Sequence, residues 1–346
     1  MTKPYVIAEI GVNFYDTARV MGITPLEAAK LYIKKAKEVG IDAAKFQSYK
    51  ADTIASKNSP SYWDLTKEPT TSQYELFKKL DGFNKEDYEE LAAYSEEVGI
   101  DFMSTPFDYA SADYLFDLVK VYKISSSDIT NLPFLEYIAK KGKPIFLSVG
   151  ASYLSEVDEA LRTIFNTGNK DVCLFHCVLS YPTKNEDANL SVIKHLKKAF
   201  PSVRVGYSDH TLPDECMTIL TTAYLYGAEV IEKHFTLDKT LQGNDHYHAG
   251  DPDDFRKAIA NFSLIDQISG SSEKTVFDCE QVPRREARRS LVLTRDMKAG
   301  DVITANDLMA KRPGTGISPR YYEQVIGRTI VRDLLEDTIL CLDDIR

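Results

Sequence analysis

Long apolar runs are missing from this chain: no uninterrupted stretch approaches the roughly 20 residues that cross a bilayer as a helix. The opening residues, MTKPYVIAEIG, enter a strand-like segment directly and lack the charged-then-apolar pattern of a secretory signal. Cysteine is scarce, five in 346 residues, odd in number and scattered (Cys173, Cys177, Cys216, Cys279, Cys341). That excludes a disulfide scaffold and fits buried free thiols in a reducing cytoplasm. Basic excess is missing too. The formal net charge is −10, which argues against a nucleic-acid surface, because phosphate backbones need clustered Lys and Arg. A small anionic substrate stays open, since a few local cations can hold one. No glycine-rich phosphate fingerprint follows the first strand candidate.

What is present is a repeating pattern, plainest in Arg204–Asp238. Two short apolar runs there each end in a polar cluster with a histidine, His210 in YSDH and His234 in EKHF, and a helix-length segment, Pro213–Tyr226, separates them. Eight such runs occur: Tyr5–Ile10, Ala43–Gln47, Asp101–Ser104, Val121–Ser125, Pro144–Ser148, Val172–Cys177, Arg204–Ser208 and Glu229–His234. They are almost continuously apolar, as strands buried on both faces are. Helical patterns lie between them, at Thr24–Val39, Lys85–Val98, Ala110–Val119, Leu132–Lys141, Ser155–Asn166, Leu190–Phe200 and Pro213–Tyr226, and Asp253–Ile268 follows the last. Thr24 can cap, Pro25 suits a first turn, and Gly40 and Gly99 are stops.

Eight strands alternating with helices predict an α/β fold, a (β/α)₈ TIM barrel over residues 1–268. A doubly wound open sheet is the alternative, weakened by the missing fingerprint. The long connection 48–83 holds the only tryptophan, Trp63, and reads as a lid or rim, or else as an irregular surface excursion. A polar linker, 269–286, precedes a second compact domain over 287–346, a size at which a core is marginal.

Polar residues at strand carboxyl ends face the active site of such a barrel. Those ends carry Glu9, Lys45 with Gln47, Thr105, Lys123 with Ser126 and Asp128, Ser148, His176 with Tyr181, Ser208 with Asp209 and His210, and Glu232 with His234. Lys45 and Lys123 sit in apolar strands, and a buried ammonium needs a counter-charge. With Ser126 and Ser148 they could hold a phosphate and a carboxylate, or they could pair internally with Glu9 or Glu232. His210 and His234, ending neighbouring strands, can share one divalent metal with open positions, or serve as hydrogen-bonded structural residues. These ligand types admit Mn²⁺, Mg²⁺, Co²⁺ or Zn²⁺. The loop Gly243–His248 suits a polyol or a plain surface turn, and His246 with His248 offers a second metal candidate.

AEIGVN (8–13), KFQ (45–47), STPFD (104–108), YKISSSDITNLP (122–133), KPIFLSVG (143–150), GYSDHT (206–211), EKHFTLDK (232–239) and KRPGTGISP (311–319), in that order along the whole chain, resemble the sialic acid synthases. The last third resembles that family's antifreeze-like (SAF) domain. The resemblance implies condensation of phosphoenolpyruvate with an N-acetylmannosamine-type sugar. His210 and His234 would hold the metal, Mn²⁺ first, with Mg²⁺ or Co²⁺ as alternatives. Lys45, Thr105, Lys123, Ser126, Ser148, Tyr181 and Ser208 would line the phosphoenolpyruvate pocket. Glu9, Gln47 and Asp245 would face the sugar, Asp128 would stand as acid or base where the family has Glu, and Arg312 would contact the acyl group from a domain-swapped homodimer partner. Phe14 replaces a family histidine, Val178-Leu179 replace small polar residues, and GNDHYHAGD departs from GPDH. An acceptor other than N-acetylmannosamine is therefore open, above all a 2,4-diacetamido-2,4,6-trideoxyhexose giving legionaminic or pseudaminic acid. Two readings compete: a lysine Schiff-base aldolase, and a non-catalytic sugar- or ice-binding protein.

Overall fold

The computed structural model describes residues 3–243 and 245–346, so Asn244 of the polar loop lies outside the described residues. The strands are β1 (Tyr5–Gly11), β2 (Ala43–Ser48), β3 (Asp101–Pro106), β4 (Tyr122–Ile124), β5 (Ile145–Ser148), β6 (Val172–His176), β7 (Arg204–Asp209) and β8 (Val230–His234). Every ladder among them is parallel and joins strands adjacent in sequence, except that β1 pairs with β8. β3 and β4 lie side by side and complete the ring. This is the expected barrel.

Local chemistry sets the helices. Thr24 and Glu27 form a reciprocal capping box, Thr24 Oγ1 accepting from Glu27 N (3.2 Å) and Glu27 Oε2 from Thr24 N (2.8 Å), and Pro25 opens helix Pro25–Glu38. Helix Lys85–Val98 stops at Gly99, whose φ of 75° is left-handed. One boundary differs from expectation. The helix expected over Pro213–Tyr226 runs only from Thr218 to Leu225. Asp214 is the cause: its carboxylate accepts from Cys216 N (2.9 Å) and Thr218 N (2.8 Å), holding the preceding residues in a turn. Helix Phe14–Met21 was not expected.

The interior is layered. Ile7, Ala43, Met103, Phe146, Cys173, Phe175 and Val230 form an apolar plug inside the ring, while a larger apolar layer packs strands against helices. Side chains alternate along a strand, so the residue two further on from a plug residue also points inward, one layer nearer the carboxyl ends.

The chain divides into two compact units, the first ending at Gly270 and the second spanning Ser271–Arg346. The second holds an antiparallel pair, β9 (Ser290–Leu293) with β10 (Leu308–Lys311), around Leu291, Leu293, Met297, Ile303, Ile330 and Leu340. Within the stretch expected as an unpatterned linker, Gln281–Ala287 is helical.

Candidate active site

The layer above the plug is polar: Glu9 follows Ile7, Lys45 follows Ala43, Thr105 follows Met103, Ser148 follows Phe146 and Glu232 follows Val230. The resulting cleft, about 70 Å³, is lined by Glu9, Lys45, Gln47, Thr105, Lys123, Ser126, Ser148, Tyr181, Ser208, His210, Glu232 and His234. Both lysines are buried, ion-paired and face the cleft. Lys45 pairs with Glu9 and stands 3.7 Å from Glu232. Lys123 stands 3.4 Å from Glu232 and donates to Ser148 Oγ at 2.7 Å. Ser208 Oγ donates to Glu232 Oε1 at 2.9 Å, and Gln47 donates to Glu9 Oε1 at 2.9 Å.

The two carboxyls differ. Burial pushes Glu9 up to about 7, against the pull of Lys45. Burial would also raise Glu232, but Lys123, Lys45 and the Ser208 hydroxyl outweigh it and hold it below the usual range. Burial opposes the charge on Lys45, yet Glu232 and Glu9 lift its pKa above the ordinary value. Near neutral pH, then, Glu232 carries the negative charge and Glu9 shares its site with a proton.

A histidine cluster stands above the lysines. The rings of His210 and His234 are 5.6 Å apart, and His248 joins them, 4.9 Å from His234 and 6.4 Å from His210. Asp245 Oδ2 lies 3.8 Å from His234 Nδ1. One ligand atom each from His234, Asp245 and His248 fits within 4.8 Å of the others. His248 therefore belongs to this cluster and forms no second site with His246, whose Nδ1 meets Thr236 Oγ1 at 2.7 Å and whose Nε2 faces Asp16 at 3.5 Å. Burial drives His210 down to about 4 and lowers His234 and His248 well below the usual range, so all three are neutral. The donor set fits a divalent cation. Buried His234 Nδ1 and both nitrogens of His248 have no hydrogen-bond partner among the described residues, and His210 Nδ1 is oriented by the Val178 carbonyl at 2.7 Å, as a ligating imidazole usually is.

Some expected residues lie elsewhere. His176 follows inward-facing Phe175, so alternation turns it out of the barrel, where it meets the Ala188 carbonyl at 2.8 Å. Asp209 turns outward likewise and binds Lys233 at 2.6 Å. Asp128, in the single turn Ser126–Asp128, accepts from Asn131 (3.2 Å) and lines neither this cleft nor the cavity beside it. Asp245 lines that neighbouring cavity, in addition to its place in the histidine cluster. Arg312 is an exposed residue of the second unit, next to β10. Of the departures expected near the sugar, Leu179 lines both cavities, but Phe14 is buried in the core against Phe83 (4.8 Å). Cys177 lines the cleft and was missed; its place two residues after Phe175 was the available signal. A larger cavity, about 730 Å³, opens at the amino ends of the strands. Its cations are paired, Lys120 with Asp101 and Lys197 with Glu229, and that end of a barrel serves stability.

The NeuB family model matches residues 32–274, and the SAF domain model matches 288–346. The chain belongs to the NeuB family. It is 40% identical to an uncharacterized protein of Methanocaldococcus jannaschii, over 99% of this chain and 94% of the relative. It is 38% identical to the N,N'-diacetyllegionaminic acid synthase of Legionella pneumophila, over the same shares. Further members bear the names pseudaminic acid synthase and N-acetylneuraminate-9-phosphate synthase. The crystal structure of the spore coat polysaccharide biosynthesis protein SpsE of Bacillus subtilis is similar, with a TM-score of 0.64 and 33% identity over 100% of this chain and 96% of that one. No described helix of this chain is long and apolar enough to cross a membrane.

Proposed function

We propose that this protein condenses phosphoenolpyruvate with the open-chain form of an acylamino sugar of the N-acetylmannosamine type, taking up water and releasing phosphate, to give a sialic-type nonulosonic acid. The observation that carries this reading is the convergence of Lys45 and Lys123 on Glu232 in a narrow cleft, directly beneath a cluster of neutral histidines. The names of the family's members support the reaction class and leave the acceptor open.

In this reaction C3 of phosphoenolpyruvate bonds to the aldehyde carbon, and the aldehyde oxygen takes a proton. Water adds to C2 and gives up a proton. The C2–O bond then breaks and phosphate leaves. Lys45 and Lys123, with Thr105, Ser148 and Ser126, hold the phosphate and carboxylate in a site whose dipoles are already fixed. Glu9, poised near neutrality, is the group able to give a proton and take one back. Its contact with Lys45 lets an incoming anion replace it as counter-charge, so substrate binding favours protonated Glu9. A divalent cation, Mn²⁺ first, held by His210, His234, His248 and Asp245, would supply Lewis-acid polarisation of a carbonyl. A Schiff base on Lys45 is disfavoured because its raised pKa keeps the amine protonated.

The test is phosphate release from phosphoenolpyruvate labelled with ¹⁸O at the bridging oxygen, against a panel of acylamino sugars. Release that requires a sugar, with the label in phosphate, is expected. Absence of release with every sugar would overturn the proposal.

A further inference from the structure

Ser126 opens the single turn Ser126–Asp128 beyond β4, where strand alternation no longer sets the direction of a side chain. It is nevertheless buried and lines the cleft. Two neighbours from the next two strand ends hold it. Gly150 N, just past β5, donates to Ser126 Oγ at 2.9 Å. Cys177 Sγ, directly after β6, lies 3.1 Å from the same oxygen. The three groups leave no slack. A Cβ at position 150 would stand 2.8 Å from Cys177 Sγ and 3.0 Å from Ser126 Oγ, so glycine is the residue that fits there without displacing them.

The other cleft hydroxyls show what such an arrangement does. A hydroxyl has one proton and two lone pairs. Lys123 donates to Ser148 Oγ at 2.7 Å, and Lys45 donates to Thr105 Oγ1 at 3.3 Å. With a lysine on its oxygen, each of these hydroxyls keeps its own proton to give into the cleft. Ser208 instead commits its proton to Glu232. At Ser126 a peptide N–H takes one lone pair, and the thiol is placed to take the other. Burial pushes the Cys177 thiol above its ordinary pKa, so it keeps the proton that this requires.

We propose that Cys177 is a positioning residue for the anionic substrate: its S–H donates to Ser126 Oγ and so turns the Ser126 hydroxyl proton toward the phosphate or carboxylate of phosphoenolpyruvate. This rests on the condensation proposed above. Sulfur is a weak acceptor, so it does not hold the serine proton against an oxyanion, to which a hydroxyl donates far more strongly. The polarity that lysines impose on Ser148 and Thr105 is thus set at Ser126 by two neutral donors.

Calorimetric titration of the manganese-loaded protein with phosphoenolpyruvate alone reads binding without turnover. Cys177→Ala should weaken binding about 10-fold, the scale of one misdirected hydrogen bond to a charged group. Ser126→Ala should weaken it about as much. The double variant should bind as Ser126→Ala does, because the thiol acts through that hydroxyl. Cys177→Ser keeps a donor in a smaller volume and should retain most of the wild-type affinity. In phosphate release, the loss in Cys177→Ala should fall on the KM for phosphoenolpyruvate and not on the KM for the acylamino sugar. Equal losses in Cys177→Ala and Cys177→Ser, or a further loss when Cys177→Ala is added to Ser126→Ala, overturn the inference and leave Cys177 a packing residue. The expected binding pattern without phosphate release with any sugar would uphold the positioning role and overturn the reaction instead. Absence of phosphoenolpyruvate binding to wild type would overturn both.

Discussion

Glu232 stands between the two cleft lysines, with Oε2 3.7 Å from Lys45 Nζ and Oε1 3.4 Å from Lys123 Nζ. One buried carboxylate thus tethers both cations while the cleft holds no other anion of full charge, since Glu9 shares its site with a proton. Breaking a buried ion pair by removing one partner costs about 3–5 kcal/mol. Glu232→Gln should destabilise the free protein on that scale, and phosphoenolpyruvate should recover part of the loss by supplying the missing charge. Urea unfolding with and without ligand checks this; a variant that gains no more from phosphoenolpyruvate than wild type does would contradict it.

The Glu9 carboxyl has a folded pKa of about 7 against 4.5 for an ordinary glutamate. The folded state therefore binds the proton more tightly. The resulting stability is fully present below 4.5 and is lost as pH rises through about 7. The gap amounts to about 3 kcal/mol. His210 acts with the opposite sign: driven down to about 4 from 6.5, it contributes above 6.5 and loses that contribution as pH falls through about 4. Comparing wild type with Glu9→Gln isolates the first effect. Between pH 4.5 and 7 the metal-free wild type should lose about 3 kcal/mol relative to the variant. The variant should also release phosphate at least about 100-fold more slowly. Parallel stability curves would count against a proton on Glu9.

His248 and His234 should serve one ion. Manganese titration followed by electron paramagnetic resonance should find one strong site per chain, and His248→Ala should weaken it by about 100-fold or more, since even partners behind a ligand are worth 10–100-fold. Chelation should lower Tm, because an ion that binds only the folded chain stabilises it. Two equal sites, or unchanged affinity in His248→Ala, would refute the shared centre.

Lys233 and Asp209 pair behind the cluster at 2.6 Å, each next in sequence to a histidine of the centre, His234 and His210. Lys233 is fully buried and also donates to the Thr211 carbonyl at 2.8 Å. Lys233→Met strands Asp209 without its counter-charge and should cost about 3–5 kcal/mol in denaturant unfolding. Asp209→Asn with Lys233→Met should recover much of that. No recovery in the double variant would mean the pair is not coupled.

Much of this site was legible in the sequence because a barrel strand has a strict period of two. Once Ala43 and Phe146 are placed inside, Lys45 and Ser148 must also face inward. The same rule was available for His176 and went unused; one position past Phe175, it had to face out. Asp128 was harder, since it follows the strand in a 3-10 turn, where alternation no longer applies. His248 was undervalued because it lies fourteen residues beyond His234 in a loop without periodicity. Packing brings it back: Phe235 and Gly250 form a bridge, Gly250 N donates to the His234 carbonyl at 2.8 Å, and His248 comes to rest beside the ring it follows.

The sequence by itself determined the ring of parallel strands, the caps that start and stop its helices, and which strand residues look inward, because hydrophobic period and capping chemistry act over a few neighbouring residues. Only the tertiary structure decided which charges meet. That Glu232 serves two lysines and that Glu9 is pushed to about 7 depend on burial and on distances across the barrel. Electrostatic energies follow separation and desolvation, and neither is written in the order of residues along the chain.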